Sequence, residues 1–270
     1  MQYKLLALDM DGTTLNSEKK ISPATANAIS ELLKRGVEVV VASGRGLAEM
    51  IDYAEDLKTM RHGILISGGM VYDFVNKKPL TVHPVPEDLI FELIDAGLEE
   101  QAMIHLLTTD KSVARYDDVE HVEKFHMGIY KDMYRRISTY RDDFKEYVRE
   151  NPGEVVKVNL YHQSLESRAR NVERLKKTGL NLVFAEETNI EASPPNITKA
   201  SGLIELCKIL NIDLSETIAV GDAPNDLEIL KTAGIGVAMG NATEEIKNVA
   251  DFVTDDNDRD GVVKVIEKYF

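Results

Sequence analysis

The sequence predicts an α/β protein, a core built on a parallel sheet and interrupted by an inserted α+β module. Three observations predict it. Short, almost continuous apolar runs alternate with helical stripes at the start of the chain, the same alternation returns near its end, and the stretch between has a different texture.

Runs that are apolar at every position mark strands buried on both faces, as in a parallel sheet covered by helices. Tyr3 to Leu8 is the first such run, and it stops at Asp9. Ser22 then offers a helix cap and Pro23 a first-turn residue, Ala28, Ile29, Leu32 and Leu33 form a stripe, and Gly36 ends it. Val37 to Ala42 is a second buried strand that runs into Ser43, Gly44 and Arg45, and Ile64 to Ile66 is a third, ending at Ser67, Gly68 and Gly69. From about Val82 to Ala192, alternating strands such as Val155 to Tyr161 stand beside amphipathic helices such as Ser164 to Lys177. Ser193-Pro194-Pro195-Asn196 is an exit linker. Ala200 to Leu210 is then a helix, Thr217 to Val220 a buried strand, and short strands at Gly236 to Ala238 and Phe252 to Thr254 complete the series. Residues 1–82 and 193–270 are thus expected to form the core, with 83–192 inserted into it.

Of the 270 residues, 43% are hydrophobic and 29% charged, proportions that suggest neither disorder nor a fibrous repeat. The opening MQYKLLALDMDG meets acidic residues too soon for a signal peptide or a spanning helix, so a cytoplasmic location is expected. A net charge of -14, with no local cationic cluster, argues against nucleic acid and anionic membranes as partners. The single cysteine, Cys207, excludes an internal disulfide and reads as part of an apolar helix face. No sequence feature specifies an oligomeric state.

Ligands of open parallel sheets bind at the carboxyl ends of the strands. There the sequence delivers Asp9 and Asp11, Ser43 and Gly44, Ser67, and Asp222 with Asn225 and Asp226. Two carboxylates two residues apart repel each other, and a hard divalent cation such as Mg²⁺, completed by Asp222, is their usual compensation. With that charge shielded, Asp9 can attack phosphorus to give an acyl phosphate, while Asp11 protonates the leaving alkoxide and later deprotonates water. Ser43, the amides of Met10, Asp11 and Gly44, and Lys199 at a helix start can donate to the phosphoryl oxygens. Each motif alone has a bland reading: a turn, a helix cap, a solvated lysine, or for Arg45 a surface ion pair. Their joint occurrence in order favours a catalytic site.

These residues resemble the haloacid dehalogenase superfamily, specifically its Cof-like phosphatases with a large cap inserted after the third core strand. The resemblance rests on Asp9-Met10-Asp11-Gly12-Thr13-Thr14-Leu15, Ser43-Gly44-Arg45, Lys199, and Gly221-Asp222-Ala223-Pro224-Asn225-Asp226, with Gly240-Asn241-Ala242 and Asp260-Gly261-Val262 downstream. It implies a Rossmann-like parallel-sheet core, a phospho-aspartate on Asp9, and Asp11 as general acid and base. Mg²⁺ would be held by Asp9, the Asp11 backbone carbonyl and Asp222. Phosphate or substrate would be bound by Met10, Ser43, Gly44, Lys199 and Asn225, with Asp226 orienting the metal shell or Lys199. Serine stands at Ser43 where threonine is commoner, and at Ser67 where asparagine is frequent.

The resemblance implies hydrolysis of a small phosphomonoester, a sugar phosphate or phosphorylated cofactor, with phosphomutase chemistry on a sugar phosphate as the alternative. A phospho-aspartate receiver module is disfavoured, because its acceptor follows a later strand. Asp256, Asp258, Asp260, Gly261 and Glu267 have the spacing of a calcium-binding loop, but a strand leads in where a helix is required. Gly234, Gly236 and Gly240 bracket a strand and do not form a dinucleotide loop, and the six histidines lack metal-ligand spacing.

Overall fold

The computed structural model describes residues 3–57, 59–184 and 186–270. Met1 and Gln2, part of the opening segment weighed above as a leader, lie outside the described residues. The strands are β1 (Leu5–Leu8), β2 (Glu38–Ala42), β3 (His62–Leu65), β4 (Met70–Asp73), β5 (Lys78–Val82), β6 (Met103–Thr108), β7 (Ser112–Ala114), β8 (Ser138–Tyr140), β9 (Val155–Tyr161), β10 (Asn181–Val183), β11 (Asn189–Ser193), β12 (Thr217–Gly221), β13 (Ile235–Ala238) and β14 (Phe252–Val253). They form two sheets, and the chain divides into two compact units. The first unit comprises Met1–Gly44, Asp52–Thr81 and Thr198–Phe270, and the second Arg45–Ile51 and Val82–Ile197.

In the first sheet the order is β14-β13-β12-β1-β2-β3-β4-β5. β1 lies between β12 and β2, parallel to both, so strands from the two ends of the sequence meet at its centre. Parallel pairing continues outward through β13 and β14 on one side and β3 on the other. β4 adds antiparallel to β3, and with β5 extends the sheet beyond the strands expected from sequence. Leu5, Ala7, Val40, Ala42 and Ala219 pack with Leu203, Leu206 and Cys207 of the helix Lys199–Leu210. Cys207 is thus a core residue, and burial pushes its thiol up to about 11.

The helix Pro23–Lys34 starts as its sequence dictates, with the Ser22 side chain accepting from the Thr25 amide. Lys199–Leu210 is capped more fully. The Thr198 side chain accepts from the Ser201 amide, and the Thr198 amide donates to Ser201 Oγ. Against this helix start packs an unusual turn, in which Ile66 (φ 53°), Ser67 (φ 55°) and Gly68 (φ 93°) are all left-handed. Two of the three carry a Cβ, and each such residue costs roughly 1–2 kcal/mol. Gly68 has no alternative, since a Cβ there would lie 1.9 Å from the Thr198 carbonyl oxygen.

The second sheet has the order β10-β11-β9-β6-β7-β8 and is antiparallel except between β7 and β8. One apolar cluster joins it to Glu87–Glu99, Phe144–Glu150 and Leu165–Leu175, through residues such as Leu93, Leu106, Val158, Tyr147 and Leu175. Ser193 pairs with Asn181 and closes this sheet, so the expected start of the core at residue 193 shifts to Thr198. Arg45–Ile51 also goes with the second unit, where the buried Glu49 carboxylate accepts from the Gly46 amide at 2.7 Å. Among the described residues no helix is long and apolar enough to cross a membrane.

Gly36 is also left-handed, at φ 81°, but among the described residues it has no neighbour within 4 Å of an added Cβ. In chemical denaturation, Gly36→Ala is expected to destabilise by about 1 kcal/mol, and Gly68→Ala by about 3 kcal/mol or more because strain and a backbone clash add. Equal effects of the two substitutions would remove the special status of the turn.

Candidate active site

Asp9 follows β1 directly, and its amide still donates to the Val220 carbonyl of β12 at 3.0 Å. Sheet pairing therefore fixes the backbone from which its carboxylate projects. Lys199, at the first turn of its capped helix, is 1% exposed and bridges two carboxylates. Its Nζ lies 2.6 Å from Asp9 Oδ1 and 2.7 Å from Asp226 Oδ1. The second oxygen of Asp226 accepts from the amides of Asp222 and Ala223 at 3.1 and 3.2 Å, so Asp226 shapes the turn after β12 and holds the lysine together. Asp222 Oδ1 in turn accepts from Thr13 Oγ1 at 2.7 Å.

Carboxylate oxygens of Asp9, Asp222 and Asp226 all lie within 4.8 Å of one another. Gly12 permits this approach. It has φ 79°, and a Cβ there would stand 2.3 Å from Asp222 Oδ2. Three carboxylates face one ammonium, leaving two negative charges in a largely buried space. Burial first, then repulsion from Asp226 and Asp222, raises the Asp9 carboxyl well above its ordinary value despite Lys199. Burial likewise pushes Asp222 up to about 6. Burial alone would lower the Lys199 ammonium, but Asp226 and Asp9 together hold it above its usual range and keep it charged. An all-oxygen donor set with excess negative charge suits a hard divalent cation. Both oxygens of Asp226 are engaged by protein donors, which leaves Asp9 and Asp222 as the side chains able to ligate and Asp226 as their support.

Asp11 is less buried than Asp9. Its carboxylate is 37% exposed and joins Lys19 Nζ at 2.8 Å, because the chain leaves strand geometry at Asp9 and turns through Gly12. Met10 is buried, and its carbonyl accepts from the amides of Thr13 and Leu15. Ser43 is buried, with its amide committed to Ile64 and its carbonyl accepting from the Ser67 amide. Gly44 ends the first stretch of this unit. Ser67 Oγ and Asn225 Oδ1 are buried atoms without a hydrogen-bond partner among the described residues, each on a turn at a strand end. Arg45 is half-buried in the second unit and donates to Met133 Sδ at 3.6 Å. Thr13 and Lys19 were not singled out from sequence. Thr13 could have been, since its hydroxyl stands two residues after Asp11, whereas nothing local marks Lys19.

The family model for haloacid dehalogenase-like hydrolases matches residues 6–266. The chain belongs to this family. It is 31% identical over 270 residues to the 5-amino-6-(5-phospho-D-ribitylamino)uracil phosphatase YcsE of Bacillus subtilis, covering all of this chain and 96% of that one. Phosphatase YwpJ of the same organism is 30% identical over 98% of this chain and 99% of its own. A haloacid dehalogenase-like hydrolase structure from B. subtilis superposes with a TM-score of 0.87 at 27% identity, covering 99% of this chain and all of that one.

The raised value of Asp222 has a defined sign. Its folded value, about 6, lies above the ordinary 3.8, so its ionisation penalises the folded state fully above pH 6 and not below pH 3.8. A bound divalent cation offsets that penalty. The rise in Tm on adding the cation is therefore expected to be several degrees larger near pH ~7.5 than near pH ~5. In Asp222→Asn that rise should vanish while the cation-free protein becomes more stable near pH ~7.5; an unchanged cation response in this variant would show that the ion is held elsewhere.

Proposed function

We propose that this chain is a phosphatase that hydrolyses small phosphomonoesters through a covalent phosphate on Asp9. The observation that carries the reading is the buried Lys199 bridge between Asp9 and Asp226, with Asp222 beside it. A nucleophilic carboxylate must be ionised in a dry site, held in one direction, and close to positive charge that can receive phosphoryl oxygens. Lys199 satisfies the last two needs at once, and the sheet pairing of Asp9 the second.

Mg²⁺ is the proposed cofactor, held by Asp9, Asp222 and the Asp11 backbone carbonyl, where it would neutralise the two residual charges and let a phosphate approach. Asp9 attacks phosphorus, the bond to the ester oxygen breaks, and Asp11 gives that oxygen its proton. Asp11 then takes a proton from water as the water oxygen attacks phosphorus, the bond to Asp9 breaks, and inorganic phosphate leaves. Met10, Ser43, Gly44 and Lys199 are the proposed phosphoryl contacts. Asn225, whose Oδ1 is buried without a partner among the described residues, is the proposed contact to phosphate or substrate. The named activity of YcsE, a phosphatase for a ribityl phosphate, supports a small phosphorylated metabolite as substrate. Residues 83–192 are proposed to choose among such substrates. The proposed location is the cytoplasm.

With Mg²⁺ present, the protein is expected to release phosphate from members of a phosphomonoester panel, and Asp9→Asn to lower that rate by roughly a thousandfold or more. Retained activity in Asp9→Asn, measured on folded protein, would falsify the reading.

A further inference from the structure

The acid-base residue proposed above sits on a loop whose anchoring lies at the far end of the sequence. Gly12 to Ser22 leaves β1, makes isolated bridges between Asp11 and Leu15 and between Leu15 and Ile21, and returns to the helix Pro23–Lys34. Its tip is a tight turn. Asn16 Oδ1 accepts from the amides of Glu18 and Lys20, and Lys19, left-handed at φ 59°, brings its ammonium back to Asp11.

The segment after β13 holds this loop along its length. Asn241 Nδ2 donates to the Gly12 carbonyl at 2.8 Å, and Asn257 Nδ2 donates to the Leu15 carbonyl at 2.9 Å. The two asparagines are joined, since the Asn257 amide donates to Asn241 Oδ1 at 3.1 Å. Asp258 then accepts from Ser17 twice, from its amide at 2.8 Å and its hydroxyl at 2.6 Å. Asp260 accepts from Ser22 Oγ at 2.6 Å, outside the stretch next to Asp11. Two aspartates of the run that mimics a calcium loop, Asp258 and Asp260, thereby bond serines of this loop, and Asn241 of Gly240-Asn241-Ala242 acquires a task.

We propose that Asn241 and Asn257 are positioning residues for Asp11. They grip the backbone on the C-terminal side of Asp11 at two carbonyls, and Lys19 sets the direction of its carboxylate from the other end of the same loop. The inference rests on the reading of Asp11 as general acid and base. It goes further in assigning the placement of Asp11 to a neutral amide clamp from the far end of the chain, with Asn241 229 residues from Gly12 and Asn257 242 residues from Leu15.

Clamp and fold can be separated by substrate. An activated aryl ester such as p-nitrophenyl phosphate leaves without needing a proton, whereas an alkyl ester needs one. The test variants are Asn241→Asp and Asn257→Asp, which keep shape and remove the amide donor; Asp260→Asn serves as the structural control. Single-turnover formation of the phosphoenzyme is measured for p-nitrophenyl phosphate and for the best alkyl phosphate of the panel, on protein whose Tm shows it folded. The clamp variants should slow the alkyl ester by roughly tenfold or more and the aryl ester by less than about twofold. Asp260→Asn should change both alike. An equal loss on both esters in the clamp variants, or no loss on either, would overturn the proposal. Phosphate release surviving in Asp9→Asn is a different result, which removes the underlying phosphatase reading.

Discussion

One buried ammonium shared by two carboxylates governs the chemistry available to the first unit. An ammonium that is 1% exposed and unpaired would shed its proton, because burial disfavours the charged form. Asp9 and Asp226 prevent that for Lys199. The same pairing leaves the site over-supplied with negative charge, since Asp222 stands within reach of both. Breaking a buried pair by removing one partner costs more than replacing both with apolar residues, so such a cluster is weak evidence for stability. Its presence at the carboxyl edge of a parallel sheet is better explained by an anionic ligand and a cation than by the needs of folding.

The rest of the unit is arranged to deliver that ammonium. Lys199 owes its position to a helix capped by Thr198 and Ser201, and the helix start is pressed against a turn with three consecutive left-handed residues. Backbone strain of this kind persists only where surroundings over-determine it. Here the surroundings are the Ser67 amide bonded to Ser43 and the Thr198 carbonyl lying against Gly68. Strain near the end of β3 thus ties Ser43 to the helix start that carries Lys199. The insertion between Thr81 and Thr198 leaves this arrangement intact because β1 pairs directly with β12, which closes the sheet without help from the intervening residues.

Much of this was legible in the sequence, for physical reasons. A strand buried on both faces is a continuous apolar run, so β1, β2 and β12 stood out, and the polar residues that stop such runs had to be Asp9, Ser43 and Asp222. β4 and β5 did not stand out. Met70–Asp73 follows two glycines and is four residues long, while Lys78–Val82 carries Pro79, which is compatible with its place at the sheet edge but argues against a strand when only sequence is in view. The pairing of Asp11 with Lys19 was not legible, because it depends on the turn that the chain makes after Gly12. Arg45 and Asn241 gave no sign of their partners, since hydrogen bonds to Met133 and to the Gly12 carbonyl depend on tertiary placement and leave no local pattern.

The two aspartates of the first motif therefore live under opposite physical regimes, and the proposed reaction explains why. Asp9 must present one oxygen to phosphorus along one line, so it is buried, pinned through its amide to β12 and bonded to a buried lysine. Asp11 must hand a proton to one oxygen and take one from another, and must exchange with solvent between turnovers. A buried carboxylate would do this slowly; one that is 37% exposed can do it freely. Exposure alone would leave it wandering, which costs rate when reacting groups need alignment within an ångström or so. Neutral amide-to-carbonyl bonds from Asn241 and Asn257 solve the conflict, because they fix the backbone beside Asp11 without adding charge or removing water from its carboxylate.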